Sequence, residues 1–133
     1  MGNFSDNRII KDTISRINRL NDEKFTYMLA DVFMHRIHDD GTALTIMNGD
    51  DLWVYECSHK KKWIVLFTDE VEANKGNKEI LTKEMPIKDI LKGGLGDDIN
   101  GVIINPYGEN RDLVRETIEM IFFVYKKEYH REV

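Results

Sequence analysis

Gly101-Val102-Ile103-Ile104-Asn105-Pro106-Tyr107-Gly108 decides how this chain folds. A run of β-branched residues favours extended backbone. Proline then removes a backbone donor and fixes φ, so the strand has to stop and turn. Beyond it, Asn110 reads as a helix cap, and Val114, Ile118, Ile121, Phe122, Tyr125 and Tyr129 recur at helical intervals as one apolar stripe. Met120, Phe123 and Val124 widen that stripe and predict a second contact, with the N-terminal helices or another subunit. Trp63-Ile64-Val65-Leu66-Phe67-Thr68-Asp69-Glu70 has the same grammar. Its apolar run predicts a strand buried on both faces, and Thr68 reads as the cap of a short helix with Asp69 and Glu70 in its first turn. Lys75 falls in the last turn of that helix and Gly76 at its stop.

Outward from these segments the pattern continues. Ile10, Ile14 and Ile17 predict a helix from about Asn7 to Leu20 with one apolar face. Asn21 reads as the N-cap of a second helix carrying Asp22 and Glu23 in its first turn and Phe25, Leu29, Val32 and Phe33 along it, to about Arg36. The tail from Val32 to Ile37 is also compatible with extended backbone. His38-Asp39-Asp40-Gly41 is a turn. Thr42 to Met47 alternates as a half-buried strand does, and Asn48-Gly49-Asp50-Asp51 is a hairpin turn. Leu52 to Cys57 is the next strand, and Ser58 to Lys62 a second polar turn, so these strands with Trp63 to Phe67 predict an antiparallel meander. Residues 77–85 are weakly patterned, with Ile80 to Met85 as a short edge strand. Pro86 suits the first position of a helix whose apolar face is Ile87, Ile90 and Leu91 and whose stop is Gly93-Gly94. Strands and helices are segregated along the chain. The expected class is therefore α+β: an antiparallel or mixed sheet, with N-terminal helices (about 7–37) and a long C-terminal helix packed on a sheet-and-helix unit (about 42–130).

Composition bounds the function. A chain of 133 residues with 41% apolar and 32% charged side chains has enough apolar material for one core without staples. A net charge of -5 argues against a general nucleic-acid binder, because phosphate recognition needs a basic face. Cys57 is the single cysteine, which excludes an intrachain disulfide and suits a reducing compartment. Met1 to Asp6 lacks the apolar core of a secretory leader, and no apolar run is long enough to span a bilayer. A cytoplasmic protein is expected, without a membrane or nucleic-acid partner.

Gly93-Gly94-Leu95-Gly96 lies after a helix and before a strand, the reverse of a phosphate-binding loop, and Asp97 and Asp98 follow at once. Asp31 and His35 share a helix face, and His38, Asp39 and Asp40 lie close by, but no third and fourth ligand follows at a recognisable spacing. Cys57 alternates with Trp53 and Tyr55 as a small apolar filler on a sheet face. Lys60 to Lys62 reads as a solvated hairpin tip. Neither a catalytic constellation, a metal site nor a cofactor is indicated. The Asn105-Pro106-Tyr107-Gly108 corner sits where α/β proteins often bind ligands, although each of its residues also has a turn role.

The two strand-and-corner blocks resemble the SseB-type domain, the amino-terminal domain of bacterial enhanced-serine-sensitivity proteins. The resemblance runs from about Leu44 to Tyr125 and is carried by the Phe67-Thr68 strand end with its acidic short helix and by the Gly101 to Gly108 block. It implies a single SseB-like domain over 1–133, of α+β fold, without an assigned catalytic activity. The resulting expectation is a non-enzymatic bacterial module that binds a protein partner or a second copy of itself. Its surface would be the rim of Thr68, Asp69, Asn105, Pro106, Tyr107 and Gly108, or the strip around Met120 and Phe123. An immunity-like protein masking a basic partner is the sharper variant, and a hydrolase or metal-dependent enzyme using His35, His38 and nearby acids is the alternative.

Overall fold

The computed structural model describes residues 4–21, 23–76 and 80–132. Its class is α+β. Two helices open the chain, α1 (Arg8–Leu20) and α2 (Thr26–His38). Ile10, Ile14 and Ile17 of α1 are buried, as their spacing requires. Asn21 does the opposite of what its sequence context suggests. It closes α1 in a left-handed conformation (φ 50°), its N–H bonded to the Ile17 carbonyl, because asparagine tolerates that backbone better than most residues. A 3-10 turn at Glu23–Phe25 then leads into α2, which stays helical through His38 rather than ending at Arg36. Asp22 lies outside the described residues.

The strands follow as β1 (Thr42–Asn48), β2 (Asp51–Leu52), β3 (Val54–Glu56) and β4 (Lys62–Leu66). They are not a simple meander. The predicted Leu52 to Cys57 strand breaks at Trp53, so β2 pairs with β1 while β3 pairs with β4. Freed from β3 at its far end, β4 meets β1 through paired bonds between Leu44 and Phe67 (3.0 and 2.8 Å), which join a three-stranded sheet (β2-β1-β5) to a four-stranded one (β3-β4-β6-β7).

After β4 come the one-turn helix α3 (Glu70–Ala73), the edge strand β5 (Thr82–Pro86) on β1, and α4 (Ile87–Gly93). Pro86 ends the strand just ahead of the helix rather than opening the helix. Of the weakly patterned segment before β5, residues 77–79 lie outside the described residues. The next strand, β6 (Gly101–Ile104), runs parallel to β4, with Trp63 opposite Gly101 and Leu66 opposite Ile104. Asn110 does not cap the last helix. A further strand, β7 (Arg111–Val114), pairs antiparallel with β6, and α5 (Arg115–Tyr129) starts only after it. Helical spacing had absorbed Val114 into the stripe, but pairing with β6 holds it in extended backbone.

The sheet carries apolar side chains on both faces. Ile64, Leu66, Val102 and Ile104 face α1, α2, α4 and α5 in the larger core. Val65 and Phe67, one residue out of step, join Leu44, Ile46 and Ala73 in a smaller core on the other side. Phe123 is 60% exposed, with the Lys127 ammonium 4.6 Å above its ring. Among the described residues no helix is long and apolar enough to cross a membrane.

Gly101 makes the close pairing of β6 with β7 possible. Its φ is 147°, and a Cβ there would overlap the Leu113 carbonyl oxygen. Gly101→Ala is therefore expected to destabilise the fold by about 2 kcal/mol or more, from backbone strain plus displacement of β7. Urea unfolding of the two proteins measures this; an unchanged midpoint would contradict it.

Candidate functional site

The two corners predicted separately from sequence meet in space. Parallel pairing of β4 with β6 brings the residues just past each strand, Thr68 and Asn105, side by side. Asn105 takes a left-handed conformation (φ 51°) and aims its amide back at the end of β4. Its Oδ1 accepts from the Thr68 N–H at 3.0 Å, which fixes the amide's orientation, and its Nδ2 donates to Thr68 Oγ1 at 3.0 Å. The Asn105 N–H donates to the Leu66 carbonyl at 2.9 Å. Both side chains are buried. Thr68 thus links strand ends, and Asp69 supplies the helix cap, its Oδ1 accepting from the Glu72 N–H at 3.0 Å.

Two residues that sequence reasoning passed over complete this network. Asn7 is fully buried, and its Nδ2 donates to the carbonyls of both Thr42 (2.8 Å) and Thr68 (2.9 Å). Arg36, also buried, donates from Nε to Asn7 Oδ1 at 2.9 Å. The start of α1, the end of α2, β1, β4 and β6 are thereby tied through one polar seam. An asparagine just before a helix looks like an ordinary cap, and an arginine near a helix end like a solvated one. Only the tertiary contacts distinguish them.

Next to the seam lies an ion cluster. The Glu72 carboxylate is almost fully buried, and its Oε2 receives Lys75 Nζ at 2.8 Å and Lys11 Nζ at 2.9 Å. Lys11 also reaches Asp69 Oδ2 at 3.3 Å. Burial pushes the Glu72 carboxyl up, but the hydrogen bonds and charges of Lys75 and Lys11 outweigh it and hold it below the ordinary glutamate value. The Lys11 ammonium is raised, chiefly by its hydrogen bond to Glu72, with burial opposing and Asp69 adding to the shift. Gly108 packs on this cluster: a Cβ there would come within 2.5 Å of Glu72 Oε1.

Of the predicted rim residues, Thr68 and Asn105 are therefore internal supports, and Pro106 and Gly108 are half-buried turn residues. Tyr107 is exposed at 38%, its ring 5.7 Å from that of Phe67. Beside Asp69, Val71 is 64% exposed. A groove of about 560 Å³ runs from Val71 and Asp69 to Phe4, Arg8, Lys11 and Asp12 of the N-terminal segment.

The other sequence candidates fall elsewhere. Arg115 donates to the carbonyls of Leu95 (2.6 Å), Gly96 (2.9 Å) and Ile99 (2.9 Å), so the glycine-rich loop turns oxygens inward onto a cation. An anion-binding loop needs amide donors there instead. Asp31 and His35 are 3.5 Å apart and both well exposed, whereas His38 stacks on Tyr129 at 4.3 Å. His35 Nδ1 lies 3.3 Å from the Tyr129 hydroxyl. Among the described residues no group of three or more His, Cys, Asp or Glu side chains could hold a metal ion. Cys57 is half-buried, and Lys60 and Lys61 are exposed at a turn where His59 and Lys60 both take left-handed backbone.

The Glu72 shift fixes a sign of pH dependence. A carboxyl whose folded value lies below its unfolded value of 4.5 adds stability that is complete above that unfolded value and is lost as pH falls through the folded one. Wild type is thus expected to lose stability more steeply than Glu72→Gln as pH drops below 4.5. Urea midpoints collected across that acid range test this, and parallel curves would contradict it.

No family model, no curated protein and no solved structure matches the chain.

Proposed function

We propose that this chain is a non-enzymatic SseB-like interaction module, bacterial and cytoplasmic, whose partner is another protein. The observation that carries the reading is the division of labour at the double corner. Its polar residues are consumed by internal bonds, while Val71, which shares a groove with Asp69, and Tyr107, on the loop after β6, are left exposed. A group held by several bonds within a rigid seam is poorly placed to move protons or attack a substrate. Exposed apolar side chains on a rigid corner, with a carboxylate beside one of them, are what protein recognition uses: apolar anchors for affinity and a charge for orientation.

The net charge of -5 supports the sharper variant, an immunity-like protein that covers a basic partner. Opposite charge speeds encounter and disfavours acidic competitors, while the apolar anchors set how long the complex lasts.

Affinity capture from the source cells, with the wild-type chain and with Val71→Asp and Tyr107→Ala as baits, tests the reading. Val71 is 64% exposed, so Val71→Asp leaves the core intact, and a urea midpoint close to wild type checks that Tyr107→Ala, which also loses packing on Phe67, stays folded. The expected result is one protein captured in stoichiometric amount by wild type and lost with both variants. Equal capture by all three would remove the corner from the interface, and turnover of a substrate by the purified chain would remove the non-enzymatic reading.

A further inference from the structure

We propose that the outer edge of β7, with the groove beside it, takes up an extended segment of a partner protein as an added strand, and that this segment carries a basic residue. The inference goes beyond the corner surface and stands on different observations.

β7 is the last strand of its sheet, and among the described residues no strand pairs with its outer side. The register shows which backbone groups are left over. Arg115 N–H bonds to the Asn100 carbonyl, and in an antiparallel ladder bonded pairs alternate. The next bonded pairs are then Leu113 with Val102 and Arg111 with Ile104. The N–H and C=O of Asp112 and the N–H of Val114 therefore point away from β6, while the Val114 carbonyl, at the N-cap of α5, belongs to the first turn of that helix. What satisfies donors and acceptors at strand spacing is the backbone of another extended segment.

There is room for one. A groove of about 690 Å³ is lined by Asn110, Asp112 and Val114 from this edge and by Asn18, Thr26 and Thr117 from the helices, with Asn18 Nδ2 donating to the Asn110 carbonyl at 3.4 Å. Arg111 also lines it and donates to Asn18 Oδ1 at 3.2 Å, which braces the strand against α1. Val114 is 41% exposed, an apolar side chain at the start of α5 with room for a neighbour.

Charge decides the occupant. A second copy of the chain fits poorly. In the antiparallel two-fold registers that match the outward groups of β7, either Arg111 faces its own copy, or Asp112 faces its own copy, or Arg111 faces the Arg115 that follows the strand, or Val114 faces its own copy and Asp112 faces Glu116. Like charges directly opposite destabilise a strand pair. The edge is thus coded against self-pairing. Glu109 and Asp112 are the acids lining the groove, and Arg111 is drawn towards Asn18. A partner strand with Lys or Arg opposite Asp112 and an aliphatic residue against Val114 completes the ladder, the charge pair and the apolar contact together.

The test is panning of a random eight-residue peptide library on phage against the full chain, followed by binding of the recovered peptides. The expected peptides carry a Lys or Arg and, two residues away on the same strand face, a β-branched or other aliphatic residue, and they shift the amide signals of residues 111–114 in ¹H–¹⁵N spectra. They bind about ten-fold more weakly to Asp112→Lys. Asp112→Asn, which keeps the shape of the edge, gives a smaller loss in the same direction. Panning against Asp112→Lys reverses the preference to Asp or Glu. Recovery of no peptide, or of peptides indifferent to both substitutions, would overturn the proposal, as would a dimer formed through this edge. Peptides that shift Val71 and Tyr107 instead would overturn it too, while leaving the corner reading in place.

Discussion

The fold depends on keeping backbone groups satisfied where two parallel strands end inside the protein. A strand that stops in the interior leaves donors and acceptors that water cannot reach, each costing about 1–3 kcal/mol if unpaired. Here the chain leaves β4 through Thr68, which is wholly buried. Asn105 takes its N–H and Asn7 takes its carbonyl. Asn7 in turn is held by Arg36 from the end of α2. Because one residue of this seam completes the next, the helices cannot shift on the sheet without exposing a bond that has no substitute.

That constraint explains the shape of the corner. Asn105 adopts left-handed backbone because only then does its side chain fold back onto Thr68, and Pro106 and Tyr107 follow from the turn so made. Tyr107 lies over Gly76 and beside Phe67, which anchors the start of the loop after α3 to the loop after β6. The Glu72 carboxylate, clamped by Lys11 and Lys75, fixes α3 to α1 on the same side. Breaking such a buried ion cluster costs more than forming it gains, since one charge would be stranded. The exposed side chains of Val71 and Tyr107 therefore each sit on a braced base, which lowers the ordering cost of binding.

Much of this was legible in the residues. The apolar runs at Trp63 to Phe67 and Val102 to Ile104, the Ile10–Ile14–Ile17 stripe and the α+β class all follow from periodicity, which reflects burial directly. The unread parts were those decided by contacts distant in sequence. Nothing near Trp53 signals that one strand divides between two sheets. Helical spacing hid β7, since Val114 fits a stripe as well as a strand. Asn21, Asn110 and Thr68 all have good capping chemistry, but that chemistry also suits a helix C-terminus, a loop and a buried clasp. For the candidate site, the corner was visible as two motifs. Their meeting, and the roles of Asn7, Arg36 and Glu72, required the parallel register of β4 and β6.

Native-state hydrogen exchange at Thr68 and Asn105 tests the central claim most directly. If the seam holds the strand ends as described, both amides exchange only through global unfolding, with the same free energy as the amides of Val65 and Ile104 and the same dependence on denaturant. Exchange of Thr68 and Asn105 through a low-energy local opening, while the strand centres remain protected, would contradict it.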